Sequence, residues 1–403
     1  MKNKYLQNLL ILILCGEAVF FLPFVLVRIF RPTILEAFSL SNTELGYAFS
    51  LYGISAMVSY FIGGFIADRF SAKNLIALSL VSTALLGFWM STIPTYEQIL
   101  IIYCSWGVTT ILLFWAPLMK ATRYLGGDKD QGKTFGGLDA GRGIMAAILG
   151  TSILFLFSED QTPRSEQVAA RMYILSSIVL LVIALMVYLY LRLPNSNEKV
   201  EQRFLGASVV LKMRSLWHQM IFVLTAYVAY KCTDDISLYA FDVLQFDEYE
   251  AGKVGVMMIW LRPIAAISIG FIADYLGVRK TSLWTFVFVL IGSFLFYVLD
   301  FSKILPLFYL NLLLVGIGVY AMRGLYYAIM NEGNIPHQYS GTAIGFVSLV
   351  GYTPDIFMGP VMGYLLDTYS GITGHQYLFG YSLLVLVLGF MNLYLFGFGR
   401  VRD

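Results

Sequence analysis

Apolar runs of 18 or more residues follow one another along this chain, and each is long enough to cross a hydrocarbon core of about 30 Å as a helix. Inside lipid every backbone N–H and C=O must be satisfied within the protein, so only helices and closed barrels span it. The runs are continuous rather than alternating, which fits helices and not barrel strands. Hydrophobic residues make up 58% of the chain and charged residues 13%, the latter about half of the roughly 25% usual in soluble proteins. The expected fold class is therefore an all-α polytopic membrane protein with about 12 transmembrane helices. The spans fall near 6–31, 46–67, 74–93, 98–119, 135–157, 171–193, 218–243, 252–273, 281–300, 305–330, 341–365 and 377–398. Met1 to Lys4 ahead of an apolar run has the look of a signal peptide. No small-residue cleavage site follows and Glu17 interrupts the run, so it reads as the first span.

One pentapeptide occurs twice. Gly64-Phe65-Ile66-Ala67-Asp68 precedes Arg69 and Lys73, and Gly270-Phe271-Ile272-Ala273-Asp274 precedes Gly277, Arg279 and Lys280. The flanks keep the same offset, with Glu44 and Gly46 matching Glu250 and Gly252. A chance match would not carry its flanks along, so the chain reads as two related halves. The expected division is a six-helix bundle over 1–193, a linker over 194–217 that contains Pro194 and mixed charges, and a second six-helix bundle over 218–403. Phe204 to Leu216 is weakly amphipathic and suits a membrane surface.

Basic residues set the orientation. Lys2, Lys4, Arg69, Lys73, Lys120, Arg123, Lys129, Lys133, Arg192, Lys199, Arg203, Lys212, Arg214, Arg279, Lys280, Arg400 and Arg402 fall on one set of loops. The opposite set carries mainly Arg31, Arg164, Arg171, Lys253 and Lys303. The richer side is the cytoplasmic one by the positive-inside rule, which puts both termini inside. The net charge of +2 is spread over short loops, so no nucleic-acid partner is expected. The expected location is a bacterial inner membrane, in contact with lipid and as a monomer.

Two six-span halves, an inside linker and a Gly-x-x-x-Asp-basic loop between spans 2 and 3 resemble the major facilitator superfamily. The first copy departs from that superfamily's motif at Ser71 and Ala72, and the second at Tyr275. A finer likeness is to the organophosphate/anion antiporter branch. It rests on Val25-Leu26-Val27-Arg28 in span 1 and on Ala229-Tyr230-Lys231-Cys232 in span 7, with Lys where that branch has Arg. Gly136-Gly137-Leu138-Asp139-Ala140-Gly141-Arg142-Gly143 and Arg323-Gly324-Leu325-Tyr326-Tyr327-Ala328 resemble a little-characterised bacterial branch near it. The resemblance implies two bundles, alternating access and a transported small anion.

Charges within the spans are the candidate site, because each costs at least about 2.5 kcal/mol at mid-membrane and must face protein or water. Arg28 follows Pro23 in span 1 and reads either as a substrate contact or as a side chain snorkelling outward. Arg142 lies three residues after Asp139, so the two share a helix face and either neutralise each other or hold a guanidinium ready for an anion. The glycines around it also suit close helix packing. Lys231 sits one turn before Asp234 and Asp235. Arg28 aligns with Asp234 in the repeat, so Arg28 and Lys231 are expected to face a shared chamber. Arg323 with Tyr326 and Tyr327 can hold a carboxylate or phosphate bidentately. Glu17, Asp139, Asp234 and Asp235 are the expected ion-coupling acids, since a buried carboxyl can carry a proton. Arg262, beside Pro263, braces a helix kink or lines the chamber. Glu332 and Asp355 suit gate or cap positions near span ends. Asp68, Arg69, Lys73, Asp274, Arg279 and Lys280 form the expected cytoplasmic gate.

No Gly-x-x-x-x-Gly-Lys-Ser/Thr run occurs, so no ATP motor is encoded. His218, His337 and His375 are scattered, and Cys15, Cys104 and Cys232 lie in apolar spans. No cofactor, metal, disulfide or enzymatic centre is expected. The reading is a secondary transporter of a small organic anion, organophosphate-like or carboxylate, with a proton or phosphate as counter-substrate. The alternative is a proton symporter of a neutral or zwitterionic solute, in which the deep acids pair with the deep bases.

Overall fold

The computed structural model describes residues 2–126, 131–155, 164–193, 207–326, 328–329, 333 and 340–395. These residues form helices and turns, with no strand among them. The main helices are α1 (Lys2–Phe20), α2 (Asn42–Arg69), α3 (Ala72–Met90), α4 (Tyr96–Gly107), α5 (Gln131–Leu154) and α6 (Ser165–Tyr190). They continue with α7 (Arg214–Cys232), α8 (Glu248–Leu276), α9 (Val278–Val298), α10 (Leu305–Leu325), α11 (Ser340–Gly351) and α12 (Ile372–Leu395). Among the described residues ten helical stretches are long and apolar enough to cross a membrane. The other two, α5 and α7, are long enough but less apolar, and they carry Asp139, Arg142 and Lys231. The chain is thus an all-α polytopic membrane protein.

Local chemistry sets the helix ends. Ser41 and Glu44 form a reciprocal capping box at the start of α2, the Glu44 N–H donating to Ser41 Oγ at 3.1 Å and the Ser41 N–H to Glu44 Oε2 at 2.9 Å. The α8 helix stops at Gly277, whose φ of 87° is open to glycine but strained for residues with a Cβ. Two helices pass through a π turn. In α1 it spans Phe21–Val25 and contains Pro23, whose missing N–H breaks the regular ladder. In α4 it spans Val108–Trp115 and leads into Ala116–Gly126. There Ser79 Oγ donates to the Thr109 carbonyl at 2.7 Å, so a neighbouring side chain takes up an acceptor where the ladder is irregular.

The chain divides into two compact units. The first holds residues 1–199 with 246–260, and the second holds 200–245 with 261–403. In the first unit α1 packs on α5, α3 on α6 and α2 on α4. In the second α7 packs on α11 and α9 on α12. The pairs α1·α5 and α3·α6 thus recur six helices later as α7·α11 and α9·α12, the packing counterpart of the repeated pentapeptide. The second unit's core includes a ring stack in which Tyr239 lies parallel to Phe308 at 5.8 Å and Phe296 parallel to Phe379 at 4.3 Å.

Candidate transport site

Clusters of deep charge are found in both units. In the first unit the cluster centres on Arg142 of α5. Its Nε donates to the Gly16 carbonyl of α1 at 3.0 Å and lies 3.2 Å from Glu17 Oε2, while Nη1 lies 3.8 Å from Asp139 Oδ1. The guanidinium also sits over Phe20 at 5.6 Å and Trp115 at 5.7 Å. This approach depends on small residues. A Cβ on Gly141 would meet Ile13 at 2.5 Å, and one on Gly16 would meet the Arg142 Cδ at 3.2 Å. The internal pair with Asp139 is present, and Glu17 is the closer acid.

Arg28 is buried in the short helix Leu26–Ile29 that extends α1 beyond its π turn. Its neighbour Arg31 is buried as well and donates to Asn42 Oδ1 through Nη2 at 2.9 Å and Nε at 3.3 Å.

In the second unit the cluster centres on Lys231, whose side chain is 3% exposed. Its Nζ lies 2.9 Å from Asp234 Oδ2 and 3.6 Å from Asp355 Oδ1. Asp355 stands in the first turn of Pro354–Thr368, the helix that resumes after α11. Tyr227, one turn before Lys231 and so on the same face, donates its hydroxyl to Asp355 at 3.0 Å from Oδ1 and 3.1 Å from Oδ2. Asp355 is more open than Lys231 and Asp234, with its side chain 19% exposed. Tyrosines surround the group. Tyr227 meets Tyr230 at 5.4 Å and Tyr352 at 5.0 Å, and Tyr230 meets Tyr320 at 6.2 Å. The Arg323 guanidinium lies on the Tyr230 ring at 3.9 Å, within stacking range of a cation on a π face. Tyr326 is buried against Phe222 at 6.2 Å and its carbonyl accepts from Gln219 Nε2 at 3.0 Å. Arg262 is buried beside Pro263, which lies inside α8.

A further group lies where α7 ends. Beyond the 3₁₀ turn Thr233–Asp235 runs the short helix Ile236–Asp242. His375 in the first turn of α12 places Nδ1 2.7 Å from Asp235 Oδ2 and Nε2 3.3 Å from Asp242 Oδ2. Asp235, expected as a coupling acid, thus pairs with His375.

The repeated Gly-Asp segments close α2 and α8. Arg279 Nε and Nη2 donate to the carbonyls of Leu393 and Tyr394 at 3.2 and 2.6 Å, at the end of α12. In the first unit Lys120 Nζ donates to the Ala67 carbonyl at 2.8 Å. Lys73 lies over the Tyr188 ring at 5.2 Å. Arg69, Asp274 and Lys280 are exposed. The Asp68 side chain, Tyr327 and Glu332 lie outside the described residues.

Sequence reasoning placed Lys231 beside Asp234 and singled out Asp355 and Arg323 without joining them to it, and it gave no role to Tyr227, Tyr230, Gly16 or His375. The available signal was spacing. Tyr227 and Lys231 are four apart, but Asp355 and His375 come from distant helices that local periodicity does not link.

The family model described as "Major Facilitator Superfamily" matches residues 13–354. The chain belongs to this superfamily, and it is a secondary transporter, not an enzyme. Two Escherichia coli (strain K12) proteins are similar to it at 26% identity. Inner membrane protein YqcE covers 90% of this chain and 88% of its own, and Inner membrane protein YihN covers 92% and 90%. The chain is accordingly a multi-pass inner-membrane protein. Among solved structures, an inward-facing, unoccupied bacterial homolog of the human lysosomal transporter Spinster superposes with a TM-score of 0.74 at 15% identity, covering 98% of this chain and 97% of its own. The nucleoside transporter NupG superposes with a TM-score of 0.72 at 16% identity over the whole of both chains. At that identity the likeness is one of fold.

Proposed function

We propose that the chain is a proton-coupled symporter of a neutral or zwitterionic small solute, with Lys231, Asp234, Asp355 and Tyr227 as the coupling centre. The observation that carries this reading is Lys231 lying between two carboxylates, at 2.9 and 3.6 Å. Opposite charges about 4 Å apart attract by roughly 4 kcal/mol where the effective dielectric is near 20. An incoming anion must displace one carboxylate to reach Lys231, which leaves little gain. A proton on Asp355 does the displacing directly, because it removes one of the two attractions and frees Lys231 to move. Lys231 and Arg323 are balanced by Asp234 and Asp355, so the resting group suits a solute with no net charge. A zwitterion fits it well: its ammonium replaces Lys231 at Asp355 while its carboxylate takes Lys231 or Arg323. The tyrosines around the group offer ring faces to an apolar or aromatic body.

The organic-anion reading asks Lys231 to act as an open anchor, and its two acid partners support it less well. The same pairing holds in the first unit, where Glu17 and Asp139 face Arg142. Both termini belong in the cytoplasm by the distribution of basic loops, and transport proceeds by alternating access.

The test is a thermal-shift screen of the purified protein against amino acids, sugars and nucleosides alongside phosphorylated and carboxylated metabolites, since a ligand stabilises the folded state by mass action. The best stabiliser is then added to proteoliposomes loaded with a pH dye. A neutral or zwitterionic ligand whose entry acidifies the lumen is the expected result. Stabilisation by anions alone, with no proton movement, would overturn the reading.

A further inference from the structure

His375 is 1% exposed and its two ring nitrogens face carboxylates from two different segments. A neutral imidazole has one N–H and one lone pair, so it can donate to only one of them. Two hydrogen bonds between one imidazole and two carboxylates need two protons. Either His375 is an imidazolium between two carboxylates, or it is neutral and one carboxyl is protonated. The group therefore holds one more proton than a neutral histidine with two ionised acids.

The two acids differ in access. The Asp242 side chain is 36% exposed, while that of Asp235 is 0% exposed. Asp235 Oδ1 is buried and takes no hydrogen bond among the described residues, an acceptor left open in a dry setting. Asp235 follows Asp234 in the same 3₁₀ turn, and Asp234 holds Lys231 at 2.9 Å. Acidic and basic groups thus run from a surface carboxylate, through a buried imidazole, to the turn that carries the coupling centre.

The geometry points to a proton relay: Asp242, His375 and Asp235 pass protons between the protein surface and the turn bearing Asp234 and Lys231. In one transfer Asp242 gives its proton to His375 Nε2 as the Nδ1 proton moves to Asp235. The ring ends neutral in its other tautomer, and rotation of the ring, after Asp235 has passed its proton on, resets it for the next transfer. The ring is well placed for this, because a positioned imidazole accepts and returns protons near neutral pH. Titratable groups around the relay include Tyr239, whose ring is 5.2 Å from His375, Asp300 close to Tyr239, and Cys232 close to Asp235 and Asp234. A metal site is excluded by the layout among the described residues, since the carboxylates flank opposite nitrogens and do not converge on one point.

This relay rests on the coupling role proposed for Asp355, and the test separates the two. The proton itself is the probe, so no solute is needed. Full-length protein in liposomes receives a rapid pH drop, and time-resolved infrared spectroscopy follows the carboxyl band that Asp355→Asn removes. We expect His375→Ala to slow the appearance of that band by about tenfold or more with its final size unchanged, and added imidazole to restore the rate. Asp242→Asn keeps the buried His375–Asp235 contact, so it reports on the relay even where His375→Ala fails to fold; it too slows the band. Wild-type rates in the variants that fold would overturn the relay. Absence of any band lost in Asp355→Asn would overturn the coupling centre and the relay together.

Discussion

Arg142 and Lys231 each centre a cluster of deep charges in one of the two units, and they are held in opposite ways. Arg142 is fixed by a backbone carbonyl, two acids and two aromatic faces. A guanidinium's planar fork resists reorientation, so we propose that this cluster braces α1 against α5. Lys231 is a flexible ammonium between Asp234 and Asp355. Protonating either acid changes which way it leans. On the proposed reading the repeated helix pairs α1·α5 and α7·α11 therefore serve different ends, with the brace in one unit and the switch in the other.

The largest effect is expected from Lys231→Ala. It leaves Asp234 and Asp355 buried without their cation, and removing one partner of a buried pair costs about 3–5 kcal/mol. We expect a marked drop in melting temperature and loss of gradient-driven uptake. Adding Asp355→Asn should recover part of the lost stability without restoring uptake, because the unpaired charge is gone but the proton site is gone too. A double mutant no more stable than Lys231→Ala in thermal unfolding would break the view of these residues as one coupled group.

The fold was largely legible because bilayer physics acts on each apolar run separately. The span near 46–67 and the capping signal of Ser41 and Glu44 can be read from contiguous residues. The site was legible only where its members share a helix. Asp139 with Arg142 and Lys231 with Asp234 sit three apart, so helical spacing alone pairs them. Glu17 with Arg142, Asp355 with Lys231 and Asp235 with His375 are joined by helix packing, which a local pattern does not encode. The chamber expected for Arg28 and Lys231 rested on pseudo-symmetry alone. In the structure Lys231 is held by acids of its own unit.

A reciprocal exchange sharpens the contrast. Arg142→Lys keeps the charge but gives up the planar contact with Phe20 and Trp115 and the directed bond to Gly16, a loss of about 1–2 kcal/mol. Proton coupling should survive, because this cluster only braces. Lys231→Arg should fold well and yet turn over slowly, since a bidentate fork would grip the carboxylate that must let go. Melting curves and dye-monitored uptake of both variants provide the check. Slow turnover in Arg142→Lys with normal turnover in Lys231→Arg would reverse the assignment of brace and switch.

The smallest effect concerns the ends of the helices. Arg279 donates to carbonyls at the C-terminus of α12, and Lys120 to one near the C-terminus of α2. Cations at these positions donate to carbonyls close to a helix end and meet the negative end of the helix dipole. Each is worth about 0.3–1 kcal/mol where solvent reaches it. We expect Arg279→Ala and Lys120→Ala to lower the melting temperature slightly and equally, leaving cycling unchanged. The repeated Gly-Asp loops were also expected to gate. If gating runs through Arg279, its removal will slow solute exchange while melting stays near wild type, and Lys120→Ala will not follow it. Exchange rates and melting temperatures measured side by side on the two variants therefore decide whether the repeated loop is a helix cap in both units or a cap in one and a latch in the other.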